Sequence, residues 1–157
     1  MKKTVNIVFA GIGGQGVIKA SDILSEAAFT SGFDIKKSEI HGMSQRGGSV
    51  SSDVRFGEKV FSPTVPPGGA DFLVVLADDQ VEINLHHLKK DGRIITSKNV
   101  DCSKLPDAKT LNIALLGALS SFVDIPQKNW EDAILKLLPS KFTDMNITAF
   151  RTGRNQK

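Results

Sequence analysis

Apolar and polar residues change their spacing from block to block along this chain, and each block predicts an element. Residues 4–10 are nearly all apolar, as in a strand buried on both faces of a parallel or mixed sheet. Residues 17–31 then take up helical spacing, with Val17, Ala20, Leu24, Ala27 and Ala28 on one inward stripe and Gly32 placed to end the helix. A second strand is expected at 33–37, followed by a polar, glycine-rich loop at 39–48. Residues 49–56 alternate, with Val50, Ser52, Val54 and Phe56 on one side and Ser49, Ser51, Asp53 and Arg55 on the other. That pattern predicts a half-exposed strand, near a sheet edge or paired through Gly57 and Glu58 with residues 59–62.

Pro63, Pro66, Pro67, Gly68 and Gly69 form a stiff connection to a core strand at 72–76. A helix is expected at 79–88, a strand at 93–96 and an irregular stretch at 99–107. An apolar helix at 110–122 follows, and a third helix begins near Pro126 and Trp130 and runs to about residue 138. Residues 145–150 read as a short helix or docking arm, and Phe142, Met145, Ile147 and Phe150 supply docking within this chain or an apolar strip for a larger subunit. The order of elements predicts an α/β fold, three-layer α/β/α and Rossmann-like with a mixed β-sheet. The 157 residues read as a single domain, 1–157, with the tail from about 151 frayed.

Composition narrows the function. The net charge is only +3 and the lysine doublets lack interleaved aromatics, which argues against nucleic acid. No apolar run is long enough for a membrane span and no secretion signal is expected, so the expected location is cytoplasmic. The single cysteine, Cys102, allows no internal disulfide and no cysteine-held zinc or iron–sulfur site, so any cluster belongs to a partner. The adjacent His86 and His87 do not share a helix face and read as a solvated helix end. Asp78 and Asp79 follow a core strand, where they serve either as a helix cap or as a polar-ligand site.

The candidate chemistry lies in two segments. Gly11, Gly13 and Gly16 have the G-x-G-x-x-G spacing between a strand and a helix, with Gly14 and Gln15 inside the loop. Such a loop is either an amide-lined anion site or a tight turn at a subunit contact; Gln15 either meets a ligand or braces the neighbouring chain. The second segment holds His41, Ser44, Gln45 and Arg46, in which Arg46 can grip a carboxylate or phosphate with two parallel hydrogen bonds. A dinucleotide enzyme places an acid at the end of its second strand, whereas Asp34 begins the expected strand here and Glu39 lies beyond it.

These two segments, the strand ending Val54-Arg55-Phe56-Gly57, and Ser62-Pro63 before the proline–glycine connection resemble the gamma or beta component of 2-oxoacid:ferredoxin oxidoreductases. Within that family the resemblance is nearest to the small beta subunit of the indolepyruvate enzyme, and it continues through residues 112–119, Phe142 and residues 146–150. The resemblance implies an accessory subunit, a pyruvate/ketoisovalerate oxidoreductase gamma-type domain that is inactive alone. It further implies a larger partner carrying thiamine diphosphate and 4Fe-4S clusters, coenzyme A as co-substrate of the complex, and ferredoxin as its electron acceptor. The overall reaction would be oxidative decarboxylation of a 2-oxoacid to an acyl-coenzyme A. Gly11, Gly13, Gly14, Gln15, Gly16, His41, Ser44, Gln45 and Arg46 are the candidate cofactor-binding residues, of which His41, Ser44, Gln45 and Arg46 are expected to line the intersubunit site, with no catalytic residue assigned. Two other readings stay open: a freestanding nucleotide- or acyl-coenzyme A-binding protein, and a purely structural subunit.

Overall fold

The computed structural model describes residues 3–42 and 48–156. Strands β1 (Val5–Ile12), β2 (Asp34–His41), β3 (Ser49–Gly57), β4 (Ala70–Val75) and β5 (Leu88–Ile95) form one sheet in the order β2-β3-β1-β4-β5. β4 runs parallel to both β1 and β5, while β3 runs antiparallel to β1 and to β2, so the sheet is mixed.

One face of the sheet is covered by α1 (Val17–Thr30), α3 (Leu111–Ser120), α4 (Gln127–Leu137) and α5 (Thr143–Arg154). There Ile7, Phe9, Val54 and Val74 pack with Leu24, Ile113, Leu115, Trp130 and Phe150. The opposite face is covered thinly: Val65, Val81 and Leu88 close over Val8, Ala10, Leu73 and Val75. Three layers result, as the alternation of elements implies. Among the described residues no helix is long and apolar enough to cross a membrane.

Three expectations are corrected. The strand at 49–57 is not at an edge; β3 lies between β2 and β1 and forms its hairpin with β2. Residues 59–62 do not pair with it, and side chains take two of their backbone groups. Val60 N donates to Asp34 Oδ2 at 2.8 Å, and Arg55 donates to Ser62 O at 2.9 Å. The helix expected at 79–88 is broken into a 3-10 turn (Asp78–Gln80), the single turn α2 (Val81–Asn84) and a second 3-10 turn (Leu85–His87). Its span must join the end of β4 to the start of β5, and Asn84 Nδ2 donates to Gln80 O at 2.7 Å, occupying a carbonyl of the ladder. β2 extends to His41, so Glu39 lies within a strand rather than in a loop.

α5 packs on its own chain. Phe150 is fully buried with its ring 6.0 Å from that of Trp130, and Arg154 donates to Ser120 Oγ at 2.8 Å. Phe142 remains exposed.

Alternation puts Asp53 on the outward side of β3, yet it is buried under residues 58–69, where its Oδ2 accepts from Val65 N at 2.9 Å. Burial pushes its carboxyl above the usual 3.8, against the hydrogen bond from Val65. A raised folded-state value means that the native protein holds this proton more tightly than the unfolded chain does. Stability therefore falls as pH rises from about 3.8 through the folded-state value, and is highest below that window. Asp53→Asn keeps an acceptor for Val65 N and should flatten that slope in urea titrations run across pH. Asp53→Ala orphans the amide and should cost about 1–3 kcal/mol at neutral pH. Equal midpoints for the two variants would contradict this account.

Candidate functional site

Parallel strands β1 and β4 end side by side, with Leu76 N donating to Ala10 O at 2.9 Å. From β1 the chain turns into α1 on one face, and from β4 into the 3-10 turn on the other. Where neighbouring parallel strands send their connections to opposite faces, a crevice opens at their carboxyl ends, and α/β folds bind ligands there. The glycine loop lines that crevice.

Each loop residue has a definite local task. A Cβ on Gly11 would lie 2.8 Å from both Gln15 Oε1 and Val17 Cγ2, so glycine lets the helix approach the strand. Gly13 N donates to Gly48 O at 2.9 Å, joining the first motif to the end of the second. Gly14 (φ 90°) and Gly16 (φ 81°) adopt left-handed backbone that glycine alone takes cheaply. Gln15 is a brace: its Oε1 accepts from Ile12 N at 2.8 Å and closes the turn upon itself. Gly16 caps α1 without any side-chain acceptor, and no acid stands in the first turn. The amides of that first turn thus lie outside the helical ladder, uncompensated by negative charge.

Two clefts flank the loop. One, of about 400 Å³, is lined by Gly13, Gly14, Gly16, Lys19, His41 and Val50. The other, of about 360 Å³, is lined by Gly14, Gln15, Leu76, Lys109, Leu111 and Asn112. Three polar or charged residues of these linings are not among the site candidates read from the sequence: Lys19, Lys109 and Asn112. Asn112 carried a signal, being a polar residue in the otherwise apolar run of α3; its Nδ2 donates to Gly16 O at 3.3 Å across 96 positions. Both lysines looked like ordinary surface charges.

His41 ends β2 opposite Val50, and its Nε2 lies 3.8 Å from the Glu39 carboxylate. A hydrogen bond from Lys37 holds the Glu39 carboxyl below its ordinary value, with a smaller contribution from His41. Lys37 itself bridges Asp22 and Glu39. Ser44, Gln45 and Arg46 lie outside the described residues.

The sheet order explains why no ribose-binding acid is in place. β3 separates β2 from β1, so Glu39 lies two strands, about 10 Å, from the strand that leads into the glycine loop. Residues for an iron–sulfur cluster do not fit either. Such a cluster needs about four thiolates, and the sole thiol, Cys102, is exposed in the 3-10 turn Cys102–Lys104. Asp78 and Asp79 open the 3-10 turn after β4, where Asp78 accepts from Ser97 Oγ at 3.2 Å. His86 and His87 stack with ring centroids 4.0 Å apart, and burial pushes His87 below its ordinary value.

The family profile for pyruvate ferredoxin/flavodoxin oxidoreductase matches residues 6–109. The chain is 33% identical to the indolepyruvate oxidoreductase subunit IorB of Thermococcus kodakarensis, over 96% of this chain and 95% of that one. It is 27% identical to the 2-oxoglutarate synthase subunit KorC of Archaeoglobus fulgidus, over 98% and 88% of the two chains. Among solved structures, the gamma subunit of a keto/oxoacid ferredoxin oxidoreductase from Geobacter sulfurreducens shares the fold with a TM-score of 0.80, at 24% identity over 97% of both chains. The 2-oxoglutarate:ferredoxin oxidoreductase of Magnetococcus marinus shares it with a TM-score of 0.82 at 18% identity. That match covers 98% of this chain and 31% of the other, so the fold is there one part of a longer chain.

Proposed function

The chain belongs to the pyruvate ferredoxin/flavodoxin oxidoreductase family, and we propose that it is the accessory subunit of a 2-oxoacid:ferredoxin oxidoreductase, completing an active site held mainly by a larger partner. The larger subunit would carry thiamine diphosphate and the 4Fe-4S clusters, and ferredoxin would accept the electrons. The substrate is indolepyruvate or a related 2-oxoacid, a choice supported by the higher identity to the indolepyruvate subunit than to the 2-oxoglutarate one. In the overall reaction, the 2-oxoacid and coenzyme A yield acyl-coenzyme A and carbon dioxide as ferredoxin is reduced.

The observation that carries this reading is the hydrogen bond from Gly13 N to Gly48 O, 2.9 Å long, at the switch point of the sheet. It ties the glycine loop to the end of the segment holding Ser44, Gln45 and Arg46. A carboxylate or phosphate brought there by a partner would meet the uncapped end of α1, with Lys19 in one flanking cleft or Lys109 in the other. Arg46 is assigned the bidentate contact to such an anion. The chain's own role is then to bind and orient.

Anaerobic co-purification tests this directly. The larger thiamine- and cluster-bearing subunit should come down with this chain in fixed stoichiometry. In the assembled complex, Arg46→Ala should lower turnover by about 2 kcal/mol of transition-state stabilisation, roughly thirtyfold, while stoichiometry is unchanged. Loss of assembly with normal turnover in whatever complex remains would make this a structural subunit instead. Recovery of the chain alone from cells that contain the partner would overturn the proposal.

A further inference from the structure

Arg93 is the one arginine among the described residues whose guanidinium donates no hydrogen bond. Arg55, Arg151 and Arg154 donate to a carbonyl, a carboxylate and a hydroxyl. Arg93 lies instead over the ring of Phe122, its Cζ 4.1 Å from the ring centroid, and Phe122 is itself 48% exposed. That contact holds the cation through the ring face and leaves its N–H donors free.

A cleft of about 430 Å³ opens beside this pair, and local sequence builds its walls. Alternation along β5 puts Arg93 on the same face as Ile95, which belongs to the helix-covered core. Beyond β5, Thr96 N donates to Asn99 Oδ1 at 2.8 Å and Lys98 N donates to Thr96 Oγ1 at 3.3 Å. These bonds fix the turn that brings Lys98 to the cleft. Val100 returns to the core, and with Ile95, Ala118 and Phe122 it supplies an apolar lining. The one carboxylate in the lining, Asp101, is already engaged: it accepts from Ser103 N at 3.1 Å and lies 3.9 Å from Lys104. Neither Arg93 nor Lys98 has an ion-pair partner among the described residues. Two cations thus line an apolar-walled cleft with no acid of their own, and such walls focus their field.

We infer that this cleft is a binding site for a small organic carboxylate with an apolar body. The Arg93 guanidinium would take the carboxylate through two parallel N–H donors, and Lys98 would add charge. Ile95, Val100, Ala118 and Phe122 would cover the body, the usual division of labour in a small-molecule site. A bare inorganic anion would leave the apolar lining uncovered, and a neutral aromatic would leave both cations unpaired. The neighbouring cleft that shares Arg93 and Phe122 also holds Asp71 and Asp91, which makes it the poorer side for an anion. Neither cleft at the glycine loop shares a lining residue with this one, so the inference does not depend on the accessory-subunit reading.

The test is an NMR titration of the purified full chain with phenylacetate, phenethyl alcohol and acetate as probes. Phenylacetate should bind saturably with a Kd of about 1 mM, shifting the Arg93 Nε–H and the amides of Lys98, Asn99 and Val100. Acetate and phenethyl alcohol should each bind about tenfold more weakly or worse. Arg93→Gln should weaken phenylacetate about tenfold and Lys98→Gln about threefold. Lys90→Gln, which removes the same charge from an exposed position of β5 outside the cleft, should stay within about twofold. All three variants should melt near the wild-type midpoint, because each of these side chains is exposed. Unchanged affinity for phenylacetate in Arg93→Gln would overturn the site. So would an absence of saturable shifts, or shifts confined to residues 13–17, which would assign the probe to the glycine loop. Acetate binding as tightly as phenylacetate would reduce the cleft to an anion contact, and phenethyl alcohol doing so would reduce it to an apolar crevice; either result overturns the inference.

Discussion

Replacing Gly153 with alanine should destabilise the chain by about 3 kcal/mol, and more if the helices cannot shift, the upper part of the overpacking range. A Cβ at Gly153 would sit 1.8 Å from Ala114 O, and one at Gly117 would sit 2.0 Å from Phe150 O. Both obstacles are backbone, so no rotamer change relieves them. α3 and α5 must separate, and their separation opens the core around Phe150 and Trp130 and strains the Arg154–Ser120 hydrogen bond. For a domain of this size the melting midpoint should fall by about 6–12 °C. Gly32→Ala is the informative control. Gly32 has a φ of 90° but open space around its Cβ position, so only the left-handed backbone resists alanine. That cost is about 1–2 kcal/mol. A Gly153→Ala midpoint no lower than that of Gly32→Ala would show that the helix contact is not close.

The second large effect is expected at Gly16, where stability and the candidate site are coupled. Alanine there meets both a φ of 81° and the Asn112 Nδ2 atom, 2.3 Å from the added Cβ. The backbone part is about 1–2 kcal/mol, and displacement of Asn112 also breaks its hydrogen bond to Gly16 O, adding about 1 kcal/mol. Because the obstacle is the tip of a side chain, Asn112→Ala should relieve the steric part and not the backbone part. In a double-mutant cycle the two substitutions should therefore be less costly together than their sum, by about 0.5–1 kcal/mol. The assembled complex should lose most of its turnover in Gly16→Ala, since the loop that lines both clefts is re-aimed. Additive stabilities would disprove the contact between Gly16 and Asn112. Wild-type turnover would remove the loop from the site.

Local pattern made several elements legible. The inward stripe of α1 and its stop at Gly32 follow from spacing and from a glycine free to adopt positive φ, and both depend on neighbouring residues only. The buried character of β1 and β4 was readable for the same reason. β3 shows where such reading ends. Its alternation is real, with Val50, Ser52, Val54 and Phe56 buried, yet a period of two says nothing about which strands lie on either side. Burial of Asp53 depends on residues 58–69 folding back over it, and no window around Asp53 contains that information. The segment at 78–87 is similar: its composition favours a helix, yet between β4 and β5 it folds as two 3-10 turns around a single α-turn.

The candidate site divides along the same line. Glycine at 11, 13, 14 and 16, followed at once by a helical stripe, was sufficient to place a strand–turn–helix and hence the loop, because glycine's backbone freedom is a property of the residue itself. Only the tertiary structure put β4 rather than β2 on the crevice side of β1, separating Glu39 from the loop by a strand. It likewise drew Asn112 onto Gly16 from nearly a hundred residues away and brought Lys109 to a cleft beside the loop. Those outcomes are set by long-range packing of sheet against helices, in which each contact depends on the rest of the chain having closed around it.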